Sequence, residues 1–234
     1  MLATIIRGKV SIRLMPYSFN MRAINDIMKV GGIGLLNSTA IAFTIVIVTG
    51  LVGRYGTEAL AGYGLGSRLE IMLIPIAFGI GGVLTAAVGA NFGGGKYNRA
   101  RNIAWIGFAA TFVATGIIGI IATAEPSLWL ERFTTNPKAY SYGALYLSFA
   151  APFYGLFGGG QTLYFASQGT GRMLIPVIVS ISRLLLVATV GMLTVKYSWD
   201  ISVIFGTVGA GLAIIGAGNA ANMFSTIWRQ KQVV

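Results

Sequence analysis

The 234-residue chain contains no cysteine and no histidine. A thiol nucleophile, a disulfide, a Cys/His metal site and an imidazole proton relay are thereby excluded. Only six residues are Asp or Glu, which leaves little room for carboxylate-based hydrolysis. No catalytic constellation is visible, and the chain is read as a non-enzyme. Charged residues make up 10% of the sequence, whereas a soluble domain carries about 25%. A chain that is 55% hydrophobic, with a mean hydropathy of +0.76, does not fit a water-soluble globular fold.

What the sequence has instead is long apolar runs and glycine. Its 33 glycines are about twice the average share, a level that suits closely packed membrane helices. Six segments approach the roughly 20 residues needed to cross a bilayer core. They are residues 30–51, 59–92, 103–124, 140–166, 173–195 and 201–227. Their backbone polar groups must be satisfied inside lipid, and the runs do not alternate as barrel strands would, so all six are read as helices. The expected fold is an all-α membrane protein: one six-helix lobe over 30–228, with a basic segment 1–29 before it and a short tail 229–234 after it.

Residues 1–29 hold Arg7, Lys9, Arg13, Arg22 and Lys29 but no long apolar core and no signal-peptide cleavage pattern. They read either as a basic amphipathic stretch along the membrane surface or as an irregular loop. Charge sets the orientation. The side holding 1–29, the loop 93–102, the loop 167–172 and the tail from Trp228 carries eleven Lys/Arg; the other side carries four. That bias places both termini in the cytoplasm. The net charge of +11 is then mostly topology, and no nucleic-acid partner is expected.

Three charges fall inside the spans: Arg68, Glu70 and Arg183. Each costs about 2.5–3.5 kcal/mol on insertion scales, so each needs a partner or a role. At 1.5 Å per residue Glu70 lies roughly 18 Å past Glu58, and Arg183 roughly 16 Å past Arg172 from the opposite face. In a core about 30 Å thick both approach the midplane. Arg68 and Glu70, two apart on one helix, do not face each other. Glu70 and Arg183 are thus candidate partners across helices. Either the two form a structural ion pair, or Glu70 belongs to a proton or cation pathway.

The fourth segment is rich in aromatic and small residues, with Pro152 and the run Gly158–Gly160 able to bend it. Bent helices near the midplane often line transporter sites. Tyr63, Phe153, Tyr154 and Gln161 are the cavity-lining candidates. Alternatively, the aromatics face lipid or pack, and the glycine run is a helix contact. Gly62 with Gly66, Gly89 with Gly93 and Gly155 with Gly159 have the small-xxx-small spacing of tight helix contacts. Gly93-Gly94-Gly95-Lys96 is not a phosphate loop: Ala90 takes the first glycine position and Tyr97 replaces Ser/Thr. Asn37-Ser38-Thr39 fits a glycosylation pattern but lies inside a span.

Val52-Gly53-Arg54-Tyr55-Gly56-Thr57-Glu58-Ala59-Leu60-Ala61, continuing through Gly66-Ser67-Arg68-Leu69-Glu70, resembles the junction of the seventh and eighth helices of multidrug and toxic compound extrusion (MATE) transporters. Val88-Gly89-Ala90-Asn91-Phe92-Gly93-Gly94-Gly95 with Asn98-Arg99-Ala100-Arg101 resembles their loop after the eighth helix. Tyr164 to Arg172 resembles the loop after the tenth. The resemblance covers about Lys29 to Trp228 and makes 1–28 the basic link between two lobes.

The resemblance implies a twelve-helix fold of two six-helix lobes with a cavity between them. It also implies export of small organic compounds, cations among them, coupled to sodium or proton entry across a bacterial-type cytoplasmic membrane, with no cofactor beyond the coupling ion. Only the second lobe is represented here. Its expected partners are the bilayer, the substrate, and a first lobe (in the same longer chain or separate) or a second copy. Some branches of the family place carboxylates on the seventh and tenth helices. The corresponding segments 30–51 and 140–166 hold no acid, so that site is not carried over. Glu70 is the intramembrane carboxylate left and the cation-coupling candidate; the alternative is that the coupling residues sit in the first lobe. A lobe of a lipid-linked oligosaccharide flippase and a non-transporting membrane assembly protein are the competing readings.

Overall fold

A computed structural model describes residues 21–225 and residue 228. Residues 1–20, most of the segment expected to be basic and cytoplasmic, and the tail 229–234 lie outside the described residues. The described residues form helices and no strand. Helix α1 runs over Met21–Gly53, α2 over Thr57–Gly93, α3 over Tyr97–Ala124 and α4 over Ser127–Leu130. Then follow α5 at Pro137–Ala150, α6 at Tyr154–Gly169, α7 at Leu174–Lys196 and α8 at Ile201–Asn222.

Five of these helices are long and apolar enough to cross a membrane: Gly31–Gly53, Thr57–Gly93, Tyr97–Ala124, Leu174–Lys196 and Ile201–Asn222. The fourth expected segment differs. Instead of one helix over 140–166 there are two, α5 and α6, joined by a single 3-10 turn at Ala151–Phe153. Pro152 explains the break, because it has no N–H to give to the preceding turn and its ring clashes with the carbonyl four residues back. Other boundaries also move. The third helix begins at Tyr97 rather than 103, so the expected loop 93–102 shrinks to Gly94–Lys96, and Arg99 and Arg101 sit in the first turns of α3. A hydropathy window trims charged helical ends that project from the apolar core. The last helix stops at Asn222, not 227.

Side-chain caps fix two of the starts. The Asn136 side chain accepts from the N–H groups of Lys138 and Ala139, with Pro137 at the first helical position. The Asp200 carboxylate accepts from the Ser202 N–H at 2.8 Å and also from the Ser202 hydroxyl. The second interaction comes first among the causes that hold the Asp200 carboxyl below its ordinary range.

Helix α6 occupies the centre and packs against α2, α3 and α8. Helix α5 lies between α2 and α8, and α7 links α8 to α1. Glycine makes this closeness possible. A β-carbon on Gly160 would lie 2.7 Å from the Cα of Gly216 on α8, and one on Gly159 would lie 2.7 Å from the Phe108 ring on α3. The Gly158–Gly160 run is therefore a helix contact within a continuous α6, and the bend lies at Pro152. Of the spaced pairs, Gly62 and Gly66 both press on α5, and Gly155 and Gly159 both press on α3. Gly89 meets the Gly169 backbone while Gly93 faces open space, so that pair is not a shared contact. The aromatics of the broken pair are mostly interior: Tyr146, Tyr154 and Phe157 are buried in the main core.

Candidate coupling site in the lobe cavity

Glu70 projects from α2 toward α5 and α7. Its Oε1 lies 3.5 Å from Nη2 of Arg183, and its Oε2 accepts the hydroxyl hydrogen of Tyr146. The Glu70 and Arg183 side chains keep 14% and 8% of their exposure, so the pair is largely withdrawn from solvent. Two glycines make room for the partners. A β-carbon on Gly66 would run into the Tyr146 ring, and one on Gly211 would lie 3.0 Å from Cγ of Arg183. Aromatic rings hold the cluster in place. Tyr146 meets Tyr63 and Phe205 edge-on, each with ring centroids 5.3 Å apart, and the Arg183 guanidinium stands 6.0 Å from the centre of the Phe157 ring.

The cluster forms one wall of a cavity of about 330 Å³, within the range of small-molecule sites. Helix α1 supplies Ile41, Thr44, Ile45, Val48 and Thr49 to the cavity, and α2 supplies Tyr63 and Ser67 with Glu70. Gln161 of α6 and Val208 of α8 complete the polar and apolar sides. The walls are mostly apolar, aliphatic and aromatic together, so the carboxylate, guanidinium, amide and hydroxyls stand out as the groups that would orient a ligand.

The MatE family model matches residues 35–193, more than half of the chain. The chain belongs to the MatE family. A probable multidrug resistance protein NorM from Thermotoga maritima is 25% identical over 155 residues, 66% of this chain and 33% of that protein. Among solved structures, the Vibrio cholerae MATE transporter VcmN in its bent form superposes with a TM-score of 0.79 at 16% identity, over 95% of this chain and 50% of that one. A MOP superfamily transporter from Pyrococcus furiosus gives 0.83 at 16% identity, over 97% and 52%. At those identities the structures establish the fold. The chain spans about a third of the length of the curated relatives it matches and about half of the solved transporters. It is a multi-pass integral membrane protein with one MatE lobe's fold.

Within this MatE lobe the expected site residues separate. Tyr63 and Gln161 line the cavity, and Glu70 and Arg183 meet there. Phe153 and Tyr154 do not line it. Phe153 packs toward Gly209 of α8, and Tyr154 is fully buried in the core with its hydroxyl lacking a partner among the described residues. Arg68 turns away on the exposed side of α2, beside Phe133 and Thr134, and forms no ion pair among the described residues. Asn37, noted for a glycosylation pattern, is buried in α1 and accepts the hydroxyl hydrogen of Ser180 on α7.

Sequence reasoning passed over Thr44, Thr49 and Ser67 as cavity residues. A signal was available: Asn37, Ile41, Thr44 and Val48 follow a 4-3-4 spacing, which puts two polar groups on one face of an otherwise apolar helix. Tyr146 is one of several aromatics in the fourth segment. Nothing in its own segment marks it as the Glu70 partner, because the contact depends on Gly66 on a different helix.

Proposed function

We propose that this chain is the C-terminal lobe of an exporter that moves drugs or other toxic organic compounds outward in exchange for entering sodium or protons. The carrying observation is Glu70, an intramembrane carboxylate that opens onto a cavity and is held by one arginine and one tyrosine. An ionisable residue inside a membrane span, facing a cavity, is the usual mark of an ion pathway. In this reading Glu70 is the coupling group, Tyr146 and Arg183 set its charge environment, and Tyr63 and Gln161 contact the ligand. In this reading the broken pair α5–α6 crosses once, which makes six spans and sets both termini on one side; the eleven-to-four Lys/Arg bias makes that side cytoplasmic, and the membrane is read as the cytoplasmic one.

The chain spans about half of its solved relatives, which supports a second lobe as its partner; in this reading the substrate passes between the two. The name of the Thermotoga maritima relative, a probable multidrug resistance protein, supports drugs as the substrate class. The test has two parts. Cysteine pairs placed on α1 and on a candidate first lobe should cross-link in membranes, an experiment that the cysteine-free chain allows without background. Efflux of a fluorescent lipophilic cation should depend on an imposed sodium or proton gradient and be lost in E70Q. Efflux at the wild-type rate in E70Q would remove Glu70 from the mechanism.

A further inference from the structure

We infer that Arg183 is a tethered counter-cation: it fills, from inside the lobe, the position at Glu70 that an incoming monovalent cation takes, so the cation binds by displacing the guanidinium. The inference rests on the reading of Glu70 as the coupling carboxylate and adds a residue that sets how tightly the cation is held.

The geometry of the pair carries it. A carboxylate this far from solvent is costly to leave bare, and Arg183 is the positive group that meets it. Yet the contact is loose. At 3.5 Å it is longer than the ~2.8 Å of a charge-assisted hydrogen bond, and it uses one nitrogen rather than the two-pronged fork that arginine presents to a carboxylate. The Nε of Arg183 is buried and has no partner among the described residues. An arginine fixed as a brace would have its donors saturated; this one has a single polar contact among the described residues, the one to Glu70.

Its stem is the part that is fixed by packing. It fills the space that Gly211 leaves, with Nε 3.2 Å from where a β-carbon would stand, so the guanidinium at its end is what can swing. The guanidinium already stands 6.0 Å from the centre of the Phe157 ring, an attraction that does not depend on Glu70 and persists when the carboxylate is given up. Both Glu70 and Arg183 border the cavity, so a cation arriving there meets the pair directly. With the guanidinium in place the site has no net charge and a second cation gains little. With it displaced, the carboxylate borders the cavity beside the Tyr146 hydroxyl that it accepts from, and Tyr63 and Gln161 line the same cavity.

The test is radioactive sodium binding to the full chain in lipid nanodiscs at fixed pH. Arg183→Met should bind sodium at least tenfold more tightly than wild type, and the added change Glu70→Gln should abolish that gain. Gly211→Ala keeps the charge but crowds the arginine stem, and it should move the affinity in the same direction; it serves if the methionine variant does not fold. Equal sodium affinity in wild type, R183M and G211A overturns the competition even if E70Q abolishes binding. Sodium binding in R183M that survives E70Q, or no binding in any variant, overturns it as well. Failure of the underlying reading shows separately, as cation-driven efflux that E70Q leaves intact.

Discussion

The guanidinium of Arg183 and the carboxylate of Glu70 lie 3.5 Å apart on α7 and α2, two helices that make little other contact with each other. The pair therefore bridges parts of the lobe that backbone packing leaves separate. Removing one member strands the other charge. Replacing Arg183 by Met is expected to destabilise the lobe by about 3 kcal/mol, the low end for a broken buried pair because the cavity lies beside it. The double replacement Glu70→Leu with Arg183→Met should recover most of that loss. Thermal unfolding in detergent of the two single variants and the double variant checks this. A double variant as weak as the sum of the singles would show that the two residues do not act as a pair.

Gly66 lets the Tyr146 ring approach α2 and reach Glu70. Gly66→Ala should push the ring away, at a cost of about 1–3 kcal/mol for overpacking. Efflux should fall with it, because Glu70 loses its hydroxyl donor. Tyr146→Phe, which removes the donor and keeps the ring, should reproduce the loss of efflux with a smaller loss of stability. Measured side by side, the two variants separate packing from hydrogen bonding.

The contact of α6 with α8 is held by backbone proximity at Gly160 and Gly216. Gly160→Ala is expected to cost about 1–3 kcal/mol by forcing the helices apart. Gly79→Ala, at a position where a β-carbon meets nothing within 4 Å, should be neutral or slightly stabilising. Comparing the thermal midpoints of the two variants tests whether close approach, rather than glycine content as such, holds the bundle.

At the start of α8, Asp200 caps the helix through Ser202. Asp200→Ala should cost about 1 kcal/mol. The sign of its pH dependence follows from the lowered carboxyl pKa. The stabilisation is present above the ordinary carboxylate range, near pH 4, and is lost as pH falls through the lower folded-state value. The difference in stability between wild type and D200A should therefore be full at pH 7 and shrink in strong acid. A difference that grows on acidification would contradict the assignment.

Much of this was legible in the sequence, for particular reasons. Glu70 and Arg183 stand out because charge is scarce in long apolar runs, and counting residues from each end brought both to one depth. The helix break at Pro152 is local chemistry and can be read directly, although the hydropathy of residues 140–166 alone describes a single span. The fates of Phe153 and Tyr154 were not legible. Both flank the break, and which way each ring turns is decided by Gly209 and by the surrounding core, contacts that lie far away in the chain. Arg68 illustrates the same limit. Its spacing shows that it cannot face Glu70, but only the packed bundle shows it beside Phe133 and Thr134.

The central claim, that Glu70 couples cation entry to export, is tested most directly by driven efflux in reconstituted vesicles. The vesicles carry this lobe together with its completing lobe and are loaded with a fluorescent lipophilic cation. A sodium or proton gradient is then imposed, and dye release is compared between wild type and E70Q. The account predicts gradient-driven release by the wild type, and by E70Q no more than the leak of empty vesicles. Release by E70Q at the wild-type rate, with the same dependence on the gradient, would contradict it.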